Sequence, residues 1–86
     1  MYKIFFSTRA AKSLKKIPKY YQIKIKDKIE ELSNNARLHG TIKLVDYPVA
    51  QFRHRVGNYR ILFDIDEIEK IIEILDIRKR DEKTYR

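Results

Sequence analysis

Apolar residues along this 86-residue chain recur with two different periods, and the change falls near its middle. Tyr2 to Phe6 is a short β-branched and aromatic run, which predicts a first strand. Ser7 or Thr8 can cap a helix running to about Ile17, with Ala11, Leu14 and Ile17 on one face. Pro18 ends it, because the residue before a proline is pushed out of the α region. From about Lys19 to Ala36 the apolar positions Ile25, Ile29, Leu32 and Ala36 follow the i, i+4, i+7, i+11 spacing of a second helix. The two helices form an αα-hairpin, and Asn34-Asn35 and His39-Gly40 mark its exit.

Beyond residue 40 the period becomes that of strands. Thr41 to Val45 is a short strand followed by a bend at Tyr47-Pro48. Ala50–Val56 and Tyr59–Ile65 read as a β-hairpin turned by Gly57-Asn58. Asp66-Glu67 makes the next turn, Ile71–Ile77 is the last strand, and a short helical turn is expected from Arg80. The order β-α-α-β-β-β-β predicts an α+β fold: an N-terminal strand, an αα-hairpin, then an antiparallel sheet with the helices on one face. Residues 1–86 form a single domain, since two cores would each be too small to fold alone.

Composition narrows the function. Hydrophobic residues at 43% with two glycines and two prolines fit a compact fold rather than disorder. The chain has no cysteine, which excludes disulfides and thiolate metal sites. It has no long apolar run and no signal-peptide pattern, so the expectation is a cytoplasmic protein without membrane contact. Net charge is +8, which calls for a polyanionic or acidic partner unless the lysines and arginines merely solvate the surface. The charge is segregated: positions 47–63 hold no acid but carry Arg53, Arg55 and Arg60, whereas six of the twelve acids lie in 64–76.

Strand alternation places Arg53 and Arg55 on one face of their strand, with Phe52, His54 and Val56 on the other. Tyr59, Ile61, Phe63 and Ile65 form the face that meets the helices, and Arg60 and Leu62 point away from it. An arginine-lined open face suits phosphate. The competing reading is a solvated face paired with Asp64, Glu73 or Asp76. The tail adds Arg78, Lys79, Arg80 and Lys83 beside the phenol of Tyr85. His54 is a structural or partner-contacting residue, His39 lacks a second ligand at metal spacing, and the acids at 64–69 form no calcium loop. Tyr20 and Tyr21 are expected to pack at the helix hairpin.

The motif Arg53-x-Arg55-Val56-Gly57-x-Tyr59-Arg60, followed by an apolar strand and then Lys79-Arg80-Asp81-x-x-x-Tyr85, resembles the RelE/ParE superfamily of toxin components. The opening strand with Phe5-Phe6 and the helical segment ending Lys12-Ser13-Leu14-Lys15-Lys16-Ile17-Pro18 share that resemblance, which spans essentially the whole chain. It implies the toxin of a toxin–antitoxin pair: a metal-independent, ribosome-dependent endoribonuclease that cuts mRNA in the decoding site and needs no cofactor. A cognate, adjacently encoded acidic antitoxin, the ribosome and mRNA are the implied partners.

By that resemblance Arg60, Arg80 and Tyr85 are the catalytic residues and Arg53 stands at a basic position of the family; Arg53, Arg55 and the tail cations Arg78, Lys79 and Lys83 are expected to bind RNA phosphate. The chemistry fits these residue types. Without metal, the substrate's 2′-hydroxyl is the nucleophile, and a guanidinium fork matches the oxygens of the dianionic phosphorane. Tyr85, its pKa lowered by neighbouring cations, can act as the base or can stack on a nucleobase; both remain open. A ParE-type toxin that inhibits DNA gyrase and a non-catalytic RNA-binding module are the alternatives.

Overall fold

A computed structural model describes residues 1–36 and 40–79. The elements are β1 (Lys3–Phe6), α1 (Thr8–Lys15), α2 (Lys19–Asn34), β2 (Thr41–Lys43), β3 (Phe52–Val56), β4 (Tyr59–Asp66) and β5 (Ile71–Lys79). This is the element order that the hydrophobic pattern predicts. Ser7 caps α1, its Oγ accepting from the Ala10 N–H at 3.0 Å, and Pro18 stands at the start of α2. The helical turn expected from Arg80 lies outside the described residues.

The five strands form one sheet in the order β1-β5-β4-β3-β2. The pairs among β2, β3, β4 and β5 are antiparallel, but β1 joins β5 in parallel, with Lys3 opposite Ile71 and Phe6 opposite Ile74. The sheet is therefore mixed rather than wholly antiparallel. Short turns force neighbouring strands to run antiparallel, whereas two helices separate β1 from the rest and leave its direction unconstrained by a hairpin. Gly57 adopts φ +58° at the first position of the two-residue β3–β4 turn, where a side chain would be strained.

One face of the sheet is sealed by the helices. Ile25, Ile29 and Leu32 of α2 and Ala10 of α1 join Phe52, Val56, Tyr59, Ile61, Phe63, Ile65, Ile72, Ile74 and Ile77 in the core. The Phe52 and Phe63 rings stack across β3 and β4 with centroids 5.7 Å apart. Tyr21 packs against Tyr59 at 5.3 Å, as expected of the helix hairpin, but Tyr20 is largely exposed. No helix among the described residues is long and apolar enough to cross a membrane.

Candidate functional site

A β-bulge decides what the open face displays. Phe63 pairs with Ile74 and Leu62 with Asp76, so Leu75 has no partner on β4. Before the bulge, Ile72 and Ile74 face the helices; after it, that role passes to Ile77, while Asp76 and Arg78 face the open side. Without the extra residue, strict alternation would drive Asp76 and Arg78 into the core.

Cross-strand register then builds the site. Arg55 is opposite Arg60, and Arg60 is opposite Arg78, giving a row of three arginines across β3, β4 and β5. The next row is Arg53, Leu62 and Asp76, with Leu62 buried. A third row holds Asp64, Glu73 and Phe5. One end of the open face is thus cationic and the other acidic. Among the described residues neither Arg53 nor Arg55 has a carboxylate at ion-pair distance, so the expected pairing of this face with Asp64, Glu73 or Asp76 does not occur for them. The Nε of Arg53 is buried without a hydrogen-bond partner among those residues.

Asp76 serves Arg78 instead. Its Oδ2 accepts from Arg78 Nε at 2.9 Å, and its Oδ1 accepts from Ser13 Oγ at 2.9 Å and from the Ile77 N–H at 2.8 Å. Burial alone pushes the Asp76 carboxyl up, but the hydrogen bonds from Arg78, Ser13 and Ile77, with the charge of Arg78, outweigh it and hold the group below its ordinary value. The same bond to Asp76 raises Arg78 further, and Tyr47 adds to it. Arg78 Nη1 donates to the Tyr47 hydroxyl at 2.8 Å. Tyr47 belongs to the β2–β3 connection, so this bond carries that segment over β3 and β4 toward β5, and the face away from the helices is open only in part. Ser13 sits on α1 in a shallow groove it shares with Thr8, Arg9, Lys12 and Lys16.

Of the residues expected at the site, Arg53, Arg55, Arg60 and Arg78 come together on the open face, and Lys79 ends β5 opposite Tyr59. Arg80, Lys83 and Tyr85 lie outside the described residues, as does His39. His54 faces the helices, is 4% exposed, and has its Nδ1 3.1 Å from the Thr41 hydroxyl, a structural placement. Burial first, then the charge of Lys28, lower its pKa, with Glu31 opposing. Asp66 closes the β4–β5 turn by accepting from the Ile68 and Glu69 N–H groups. No group of acids, histidines or cysteines suited to a metal occurs among the described residues. Ser13, Tyr47 and the bonding of Asp76 to Arg78 were not foreseen; the signal for the last is the i, i+2 spacing of an aspartate and an arginine on one strand, which places both on one face.

The family model described as the ParE toxin of type II toxin–antitoxin systems matches residues 4–84. The chain is a RelE/ParE-type toxin. It is thus the toxin component of a type II toxin–antitoxin system. Among solved structures it is similar to the toxin–antitoxin complex RelBE2 from Mycobacterium tuberculosis, at 28% identity and TM-score 0.80, over 92% of this chain and 98% of that one. It is also similar to the RelB–RelE antitoxin–toxin complex from Methanococcus jannaschii, at 28% identity and TM-score 0.73, over 94% of each chain. The isolated RelE toxin of E. coli shares its fold with TM-score 0.81 at 19% identity, over 99% of this chain and 92% of that one. Comparison with curated protein sequences returned no match.

Proposed function

We propose that this toxin is a metal-independent endoribonuclease that cuts mRNA in the ribosomal decoding site and so stops translation. The observation that carries the reading is the row Arg55–Arg60–Arg78, three arginines at facing register positions across β3, β4 and β5, with no carboxylate at ion-pair distance from Arg55 among the described residues. Like charges set directly opposite one another cost stability, and an anion placed among them removes the cost. A phosphodiester is such an anion. Arg60 is assigned to the scissile phosphate, with Arg53, Arg55, Arg78, Lys79 and Lys83 along the flanking backbone.

Arg80 is the second arginine of the phosphorane, and Tyr85 takes the 2′-hydroxyl proton or stacks on a base. The strand carrying Arg78 and Lys79 leads directly into that segment. The inhibitory partner is an antitoxin protein, in keeping with the antitoxin-bound structures to which the chain is similar. Its working place is the cytoplasm, where the message is read.

The test is mapping of mRNA 5′ ends after induced expression and in a reconstituted translation reaction. Codon-phased cuts that require ribosomes, and that vanish in Arg60→Ala and Tyr85→Phe, are expected. Growth arrest with intact messages would overturn the reading. A second reading, inhibition of DNA gyrase, is favoured by the parDE description of the matching family model. It predicts loss of supercoiling activity with messages intact. A non-catalytic RNA-binding module predicts no arrest at all.

A further inference from the structure

The Ser13–Asp76–Arg78–Tyr47 chain of hydrogen bonds has a form that a simple stabilising ion pair does not need. The carboxylate is sealed, with 8% of its side chain exposed, while the guanidinium it holds is 35% exposed and reaches the open face. Asp76 engages Nε and Tyr47 engages Nη1. Nη2 has no partner among the described residues, and Arg78 itself stands opposite Arg60 in the strand register. Behind the carboxylate, Ser13 and the Ile77 N–H occupy Oδ1, so Asp76 cannot swing away without breaking three bonds.

We propose that Ser13, Asp76 and Tyr47 form a clamp that fixes Arg78 as a preset anion-binding arginine, with Asp76 as its positioning residue. The proposal rests on the phosphate-binding reading of the arginine row and deepens it. An unclamped arginine loses rotamer freedom when it takes an anion; a clamped one has lost it during folding, so the anion binds more tightly. The clamp also sets orientation. With Nε held by Asp76 and Nη1 by Tyr47, the guanidinium is fixed on the strand position opposite Arg60, within the reach of one RNA backbone that passes both. The bulge at Leu75 is what makes this possible, because it alone brings Asp76 and Arg78 to the open side. Tyr47 makes the β2–β3 connection part of the site, although no motif marks that segment.

The test compares Asp76→Asn, Tyr47→Phe, Arg78→Ala and the double variant Asp76→Asn/Arg78→Ala. The probe is binding of a fluorescent 2′-O-methyl RNA oligonucleotide, which cannot be cut. Asp76→Asn is expected to weaken binding about tenfold and Tyr47→Phe by a smaller factor, misplacement of a fixed group being the cause. In the Arg78→Ala background Asp76→Asn should cost nothing more, because it acts through Arg78. Equal losses in both backgrounds, or full affinity in folded Asp76→Asn and Tyr47→Phe, would overturn the clamp. Tyr47→Phe changes a surface connection and keeps the test open if Asp76→Asn does not fold.

The Arg78 Nε–H resonance gives a reading that does not depend on RNA. A slowly exchanging signal in the wild type that is lost in Asp76→Asn supports the clamp, and one in fast exchange with water in the wild type overturns it. Failure of the wild type to bind the oligonucleotide, with the resonance protected, would overturn the anion-binding role of Arg78 and the phosphate reading while leaving its fixed geometry standing.

Discussion

Arg60 and Arg78 stand directly opposite one another on β4 and β5, so two arginines are set on one patch of sheet. If a single-stranded RNA backbone occupies that patch, each arginine that touches a phosphate adds to the salt dependence of binding. Arg60→Ala should lower the slope of log affinity against log salt by about 0.7 for each phosphate that Arg60 neutralises. Fluorescence anisotropy between low and moderate salt measures it. An unchanged slope would place Arg60 off the RNA path.

Among the described residues, Asp76 and His54 are two groups whose shifts make the fold sensitive to acid. Asp76 is held below its ordinary value, so its contribution to stability is fully present above the unfolded aspartate pKa and is lost as pH falls through the lower folded value. His54 is also depressed, because burial disfavours its charged form. Acidifying through the ordinary histidine range therefore protonates the unfolded chain first and removes stability there. Urea unfolding should show a decline beginning near pH 6.5 and a second below about pH 4. In His54→Gln the first decline should disappear, and in Asp76→Asn the second should shrink.

Gly57 tests the hairpin turn. A methyl group there would meet the Tyr21 ring at 3.6 Å, an ordinary contact, so lack of space is not the obstacle. The obstacle is the φ of +58°, which costs an L-residue roughly 1–2 kcal/mol. Gly57→Ala should lower unfolding stability by that amount, whereas Gly57→Asn should lower it less. Chemical denaturation separates the two.

Ser7 does two jobs at the joint between β1 and α1. Its Oγ accepts from the Ala10 N–H and donates to the Leu75 carbonyl at 2.7 Å. Ser7→Ala should cost about 1–2 kcal/mol, combining removal of a cap with removal of a hydrogen bond at the bulge. Ser7→Thr should recover most of it, measured by the denaturation midpoint.

The core was legible in the sequence because its periods are clean. Ile25, Ile29 and Leu32 recur at helical spacing and are buried, and Phe52, His54 and Val56 alternate away from Arg53 and Arg55 as period two requires. Strand ends moved by a few residues where packing rather than propensity decides, as at Val45, which is exposed beyond the end of β2. The direction of β1 was not legible, because no hairpin ties it to a neighbour. The partner of Asp76 was not legible either. The Asp76–Arg78 pair competes with Arg53, Arg55 and Arg60 until the register with β4 is set, and the one mark of the bulge that sets it is the gap of three between the core-facing Ile74 and Ile77.

The pairing of β1 with β5 also sets when this protein can exist. Ser7 and Leu75 are joined across 68 residues of chain, and the strand that carries Arg78 must settle against β1. Contacts of such separation form late and are slow to nucleate. A nascent chain lacking its last strand has an unfilled sheet between β1 and β4 and only part of the arginine row. Closing the sheet and completing the arginine row are therefore one event, because β5 supplies both.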